Sequence, residues 1–391
     1  MLAGPALGAM TGTSSAGPIG ASEREGRVER LRSLMRAAGI DALLIEPGAS
    51  LIYFTGIEWH RSERLTAAVI ALRGPIGVLT PFFEEPSVRQ TLAVPATVRT
   101  WQEDENPHAL VAGLLREAGA TGTVAIEETV RRFVVDGLAS ALPAAKLVSG
   151  AAVVRGCRMI KSPAEIALLR RATDVTIAAY ARTAAQIREG MTPGQIAALM
   201  KAETERLGGT QEFALVLLGE ASAYPHGSNQ PQRVREGEIV LMDCGCTVEG
   251  YQSDVSRTFV WGKPGDLQRK VYGQAREGQR IAYATARVGA PAGSVDDAVR
   301  RAYEGFGYGP GYALPGLSHR TGHGIGLDGH EPVNLVHGET TRLAPGMCFS
   351  NEPGIYLPGK FGVRIEDCFV VTANGPLPFS QGPDELVSLP G

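Results

Sequence analysis

Four carboxylates set in or beside apolar strand runs constrain this chain more than any other feature. They are Asp243 in Met242-Asp243-Cys244-Gly245, Asp254 in Ser253-Asp254-Val255-Ser256-Arg257-Thr258, Glu352 in Asn351-Glu352-Pro353-Gly354 and Glu366 in Val363-Arg364-Ile365-Glu366-Asp367. His323 stands among them, in Gly322-His323-Gly324-Ile325-Gly326. Ile239-Val240-Leu241-Met242 is a strand run leading into Asp243, and Tyr251 to Val260 is a second that holds Asp254. Glu249-Gly250 can turn between them, and the spacing predicts a hairpin with Asp243 opposite Asp254 on one face. Glu352 and Glu366 flank Pro358-Gly359 in the same manner, and Arg364, two residues before Glu366, shares its face. Carboxylates gathered in this way repel, so the fold needs positive charge among them. Two divalent cations balance four carboxylates, and an oxygen-rich set with one imidazole suits two metals that share ligands. Such a site generates hydroxide at neutral pH and polarises a carbonyl, which is the chemistry of hydrolysis.

The 391 residues, 44% of them hydrophobic, are enough for two substantial cores. Lysine and arginine total 38 against 41 acids, a net charge of -3. This balance gives no electrostatic reason to expect nucleic acid or an anionic membrane as a partner. No apolar run approaches the ~18 residues that would span a bilayer. Cys157, Cys244, Cys246, Cys348 and Cys368 lack CxxC spacing and read as buried reduced thiols, hence a cytoplasmic setting. Cys244 and Cys246, one residue apart, read as small strand residues on one face rather than a sulfur metal site.

Residues 1–22 form a Gly/Ala/Ser-rich arm without the basic start and apolar core of a secretory signal. Residues 23–155 alternate helix and strand. A helix from Glu25 to Ala38 ends at Gly39 and is followed by the strand Ala42-Leu43-Leu44-Ile45. Further strands fall at Ala67 to Leu72, Ile76 to Thr80 and Val124 to Ile126, with helices near Ala109 to Ala118 and Thr129 to Ala141, a three-layer α/β domain. Residues 156–162 are the expected linker. In 163–391, Ser162-Pro163-Ala164-Glu165 and Thr192-Pro193-Gly194-Gln195 each announce a helix through an N-cap answered three residues on and a proline at the first position. Helices from Asp266 to Val288 and Ser294 to Phe306 precede the strands with Glu352 and Glu366. Each half thus offers two helices and then a strand pair bearing two acids, an α+β domain with pseudo-two-fold order and the site between its halves.

His319 and His323 have the spacing of a helical zinc motif, but Gly322, Gly324 and Gly326 speak against a helix. An extended segment in which glycines allow close approach fits better. His226, His319, His323 and His330 lie in Gly- or Pro-rich contexts of the second domain, whereas His60, His108 and His337 read as ordinary surface or core histidines.

With all five ligand motifs in order over about residues 160–375, the chain resembles the pita-bread metallopeptidases: prolidases (Xaa-Pro dipeptidases), proline-specific aminopeptidases, methionine aminopeptidases and the metal-free creatinases. Tyr53-Phe54-Thr55-Gly56 resembles a segment of the amino-terminal, creatinase-like domain of the proline-specific members. That domain argues against methionine aminopeptidases, and the complete ligand set argues against creatinase. The resemblance implies a pita-bread catalytic domain that hydrolyses the Xaa-Pro bond of dipeptides by a metal-bridging hydroxide. An Xaa-Pro aminopeptidase acting on longer peptides is the alternative, and a catalytically inactive pita-bread binding module the remote one. It implies Asp243 on one metal, His323 and Glu352 on the other, and Asp254 and Glu366 bridging. Mn2+ suits the carboxylates best, with Co2+ or Zn2+ as substitutes. Glu352 would also carry a proton to the leaving nitrogen. His226 and His330 would hydrogen-bond substrate and intermediate, and His319 would line the proline side. Arg364 would hold the acids and share a proton relay with Tyr356. A homodimer is implied, with Trp59 and His60 reaching the neighbouring subunit's site. One departure stands out: many prolidases place an arginine for the dipeptide carboxylate shortly after the motif matched by His330-Glu331, and here Asn334 lies near that place. Arg342 or a residue of the first domain is the expected substitute.

Overall fold

The structure, a computed structural model, describes residues 16–390. Most of the amino-terminal arm therefore lies outside the described residues, and Ala21 and Ser22, expected within it, already open the first helix. The chain divides into two compact units that meet in sequence at Arg158 and Met159.

The first unit is built on a six-stranded sheet. Its strands are β1 (Ala42–Ile45), β2 (Ala67–Ala71), β3 (Ile76–Pro81), β4 (Ala96–Trp101), β5 (Thr123–Ile126) and β6 (Lys146–Ser149), in the order β4-β3-β2-β1-β5-β6. Strand β1 is antiparallel to β2 and parallel to β5, and all four of its residues are buried, as expected of a central strand covered on both faces. The helices are α1 (Ala21–Ala38), α2 (Ala49–Thr55), α3 (Glu85–Thr91), α4 (Pro107–Glu117), α5 (Arg132–Ala141) and α6 (Ala151–Arg158). Gly39 ends α1 in the left-handed region, φ 66°, where its amide caps the Arg36 carbonyl. Leu115, Val134 and Leu138 of α4 and α5 join Leu44 and Val69 in one core. Leu43 and Ile45 point the other way by strand alternation and are equally buried, so a third layer covers them. Residues 156–158 of the expected linker continue α6, because Val153, Val154 and Cys157 keep its apolar face buried to the last turn.

The second unit opens with α7 (Pro163–Ala184) and α8 (Pro193–Arg206). Both begin with complete capping boxes, Ser162 with Glu165 and Thr192 with Gln195. Each cap is worth about 1 kcal/mol. Strands β7 (Thr210–Leu218), β8 (Ile239–Val248), β9 (Tyr251–Gln252) and β10 (Val255–Trp261) follow. Then the order repeats: α9 (Asp266–Thr285) and α10 (Gly293–Gly305), then β11 (Gly322–Gly324), β12 (Glu331–Leu335), β13 (Cys348–Asn351), β14 (Ile355–Leu357), β15 (Phe361–Val363), β16 (Asp367–Thr372) and β17 (Gly375–Pro378). The last strand, β18 (Val387–Leu389), returns to the first sheet parallel to β10. The sheets read β18-β10-β8-β7 and β12-β11-β13-β16-β17. Helix α9 stops at Thr285, three residues short of the expected end, where the Ala286 backbone leaves the helical region. All five cysteines are free and buried.

The first hairpin differs from expectation in register. Asp243 pairs with Ser256, and Val248 pairs with Tyr251 across a two-residue turn at Glu249-Gly250. Both turn residues have positive φ, 50° and 79°, which is the geometry that matches strand twist in a two-residue hairpin. Asp254 therefore sits one pair of residues diagonally from Asp243 instead of directly opposite. A slip of two positions, unlike a slip of one, leaves both on the same face. In the second hairpin Asn351 pairs with Asp367 and Ile355 with Val363, so Glu352 and Glu366 occupy the facing positions between them.

Candidate metal centre

The ligating atoms of Asp243, Asp254 and Glu366 lie within 4.8 Å of one another, and so do those of His323, Glu352 and Glu366. A third such group joins Asp254, His323 and His330. The four acids and one imidazole singled out in the sequence are thus one cluster, with Asp254, Glu366 and His323 each shared between groups. Two sheets deliver them. The backbone amide of Glu366 donates to the Ser256 carbonyl at 3.1 Å, and the Ser256 hydroxyl donates to Glu366 Oε2 at 2.8 Å. Thr258 Oγ1 donates to the Arg364 carbonyl at 2.8 Å. Asp254, Ser256 and Thr258 alternate onto one face of the chain. Ser256 and Thr258, which the sequence reading passed over, could have been found by that period of two.

His323 reaches the cluster on β11, which is extended as expected. The glycines serve close approach to neighbouring strands: a Cβ at Gly322 would run into the Ser350 carbonyl oxygen, and one at Gly324 would lie 2.6 Å from that of Glu331. His323 Nδ1 faces the Gly324 carbonyl at 3.1 Å, which places the proton there and leaves Nε2 bare. That Nε2 lies 3.3 Å from Glu352 Oε1 and 3.5 Å from Asp254 Oδ2. Ser350 accepts from the His323 amide at 3.0 Å and donates to Glu352 Oε1 at 3.3 Å.

Burial, with Asp254 and Asp243 nearby, pushes the Glu352 carboxyl up to about 7. Burial and the neighbouring acids likewise raise Glu366 well above the carboxylate range and raise Asp254. Burial opposes a charged His323, but Asp254 and Glu352 outweigh it and raise its pKa. Oδ1 of Asp243 and Oε1 of Glu366 are buried without any hydrogen-bond donor. Bare acceptor-only oxygens and crowded, buried carboxyls with raised pKa values are marks of cation ligands. The donor set therefore fits two hard divalent metals.

Around the acids runs a directed chain of hydrogen bonds. Arg364 donates to Asp243 Oδ2 at 2.7 Å, to Ser256 Oγ at 2.8 Å and to the Tyr356 hydroxyl at 3.0 Å. It also reaches the Pro225 carbonyl at 3.3 Å, at the root of the His226 loop. Tyr356 Oη lies 2.7 Å from His319 Nε2, and His319 Nδ1 lies 2.8 Å from the Arg320 carbonyl. Burial and the Arg364 charge push His319 down to about 3, so its ring is neutral. His330 packs its ring 4.0 Å from that of His323 and is lowered to about 4 by burial and by His323 and Arg320. His226 is exposed, has no hydrogen bond to the cluster, and lines a cavity of about 520 Å³ beside Leu215 and Leu217 of β7.

Two further residues support the histidine segment without having been singled out. Asp296, fully buried, accepts from the Thr321 amide and hydroxyl at 3.0 and 2.8 Å and from Arg300 Nε at 2.7 Å. Arg300 donates to the His319 carbonyl at 2.6 Å. An acid and a base four apart on α10 was the available signal. Arg342 does not approach the centre: it is exposed and bonded to the Gly289 carbonyl at 2.7 Å, because its strandless loop runs along the end of α9.

Residues 167–373 match metallopeptidase family M24, and residues 27–160 match the creatinase/prolidase N-terminal domain. The chain belongs to metallopeptidase family M24. Among its relatives in that family, the probable dipeptidase PepE of Mycobacterium tuberculosis is 35% identical, over 90% of this chain and 93% of the relative. The Xaa-Pro dipeptidase of Lactobacillus helveticus is 31% identical, over 93% and 99%. The crystal structure of dipeptidase PepE from Mycobacterium ulcerans superposes with a TM-score of 0.86 at 34% identity, covering 96% of this chain and all of that one. As an M24 protein the chain is a peptidase with the pita-bread catalytic fold behind a creatinase-type N-terminal domain. Among the described residues no helix is long and apolar enough to cross a membrane.

Proposed function

We propose that this M24 peptidase hydrolyses the Xaa-Pro bond of dipeptides, using two divalent metals held by Asp243, Asp254, His323, Glu352 and Glu366. The observation that carries the reading is the sharing of Asp254 and Glu366 between overlapping ligand groups, which gives each of two cations an acidic set of its own. The names of the relatives supply the substrate class. Manganese fits the carboxylate-rich set, with cobalt or zinc able to replace it. When bound, such metals supply Lewis acidity and a water acidic enough to ionise near neutral pH.

The protein's own groups do the rest. Glu352 Oε1 is engaged by Ser350 and faces His323, so Oε2 is the oxygen able to take a proton and deliver it to the leaving nitrogen. His330 accepts from Arg320 at Nδ1, which leaves Nε2–H as a donor for a substrate carbonyl. Neutral His319 and Tyr356 flank the proline side, and Arg364 links Tyr356 to Asp243. We further read the enzyme as a cytoplasmic homodimer in which the stacked Trp59 and exposed His60 approach the partner's site.

One specific observation favours the second reading, an aminopeptidase for longer peptides: Asn334 stands where a dipeptide carboxylate would want an arginine. Metal-free protein reconstituted with Mn2+ and given Ala-Pro, Ala-Pro-Ala and Ala-Ala decides among them. Fast release of alanine from Ala-Pro alone is expected. Comparable turnover of Ala-Pro-Ala selects the aminopeptidase, and binding without any cleavage selects the inactive module.

A further inference from the structure

Asn334 stands directly across from His323 in the β11–β12 pair, so both side chains rise from one face of the sheet. The Asn334 amide oxygen accepts a hydrogen bond from Arg320 Nη1 at 3.1 Å, and Arg320 Nη2 lies 3.3 Å from His330 Nδ1. Among the described residues, no carboxylate comes within ion-pair distance of this guanidinium. The other arginines of the centre differ: Arg364 is spent on Asp243, Arg257 on Asp367 and Arg300 on Asp296. Arg320 is half-buried, and its charge is permanent. Two of its five N–H donors are used on neutral acceptors, which hold it in place without neutralising it.

The backbone that carries it is fixed on both sides. Arg300 grips the His319 carbonyl, and Asp296 grips the Thr321 amide. A cation so placed, next to His330 and charge-unpaired, is preorganised for a planar anion. We propose that Arg320 binds the free α-carboxylate of the substrate's C-terminal residue, taking over the task that Asn334 cannot perform, with Asn334 as its positioning residue. The proposal rests on the peptidase reading above and deepens it: a terminal carboxylate within reach of Arg320 restricts efficient substrates to dipeptides, because a longer peptide presents a neutral amide there.

The test uses the full-length Mn2+-loaded enzyme, wild type and Arg320→Gln, with Ala-Pro, Ala-Pro amide, Ala-Ala and Ala-Ala amide. In the wild type the free acid should exceed its amide by roughly 10- to 100-fold in kcat/KM, the range of a lost charge-assisted pair. Arg320→Gln should close that gap by raising KM for the acid far more than for the amide, whatever fall in kcat the two share through His330. Equal use of acid and amide by the wild type overturns the proposal. So does an equal loss of kcat/KM for acid and amide in the variant, with the gap left open, which would mean that the arginine acts only through His330. Should the variant fail to fold, free proline and prolinamide as inhibitors of the wild type read the same preference, and equal inhibition by both overturns it. If Ala-Ala is cleaved and Ala-Pro is not, the proline reading fails while the acid-to-amide ratio on Ala-Ala still decides the role of Arg320. If nothing is cleaved, calorimetric titration with acid and amide decides it, equal affinity being the overturning result.

Discussion

The Tyr356 hydroxyl lies 2.7 Å from Nε2 of His319. Because His319 Nδ1 faces the Arg320 carbonyl, which can only accept, Nδ1 carries the proton and Nε2 accepts from tyrosine. The tyrosine oxygen in turn accepts from Arg364, whose other end holds Asp243. Every bond in this chain therefore has one direction, from arginine through tyrosine to histidine.

Tyr356→Phe removes the only hydroxyl in that chain and leaves His319 Nε2 without its donor. We expect kcat to fall roughly 10- to 100-fold, the usual range for loss of an outer partner of a metal site, with both metals retained. Steady-state kinetics with metal analysis checks this, and an unchanged kcat would remove Tyr356 and His319 from the reaction.

Ser256 touches two members of the centre at once, donating to Glu366 and accepting from Arg364. Ser256→Ala should therefore weaken metal retention by about 10- to 100-fold, again as an outer-shell loss, with little change in secondary structure. Dialysis against graded chelator reads it. Metal affinity equal to that of the wild type would mean that the serine is a packing residue.

Asp254→Asn and Glu366→Gln each remove an oxygen donor from overlapping ligand groups. Each variant should hold fewer than two metals and lose nearly all turnover. Two tightly held metals and normal kinetics in either variant would refute the shared-ligand assignment.

The centre's carboxyls should stabilise the metal-free protein less as pH rises, while His319 and His330, whose pKa values are held low, act in the opposite sense. The Glu352 carboxyl moves from an ordinary 4.5 up to about 7 on folding, chiefly through burial, and Glu366 and Asp254 shift the same way. A raised carboxyl pKa stabilises the folded state below the unfolded value, and that contribution is lost as pH climbs through the folded one. Mn2+, which relieves the crowded carboxyls, should thus raise the melting temperature more at about pH 7.5 than at about pH 5. An Mn2+ effect that is equal at both pH values would contradict the crowded-carboxyl picture.

Much of this centre was legible in the sequence, since paired strands, a turn between them and acids of one parity leave few ways to arrange the chain. The capping boxes at Ser162 and Thr192 were readable for the same reason: their chemistry is local. The register of the first hairpin was not. The expected hairpin named the turn that forms, Glu249-Gly250, but set Asp243 directly opposite Asp254, because it assumed that the two acids must face each other. Turn geometry at Glu249-Gly250 overrode that assumption. Ser256 and the Asp296–Arg300 pair left a signal in their spacing, but the groups that give them and Arg320 their roles lie elsewhere in the chain, and spacing says nothing of those.

Ser256 and Glu366 meet across 110 residues of chain, and Asp243 and Arg364 across 121. A cation held jointly by Asp254 and Glu366, as proposed, would therefore be a reversible cross-link that closes a very long loop. Its entropic effect on the unfolded chain resembles that of a distant covalent staple, since closure cost grows with the logarithm of loop length. On the proposed assignment no site exists until both halves have docked, so the metals would bind only the finished fold and stabilise it. In a chain with five free thiols and no disulfide to serve that purpose, metal supply would then double as a control on how long the folded protein survives.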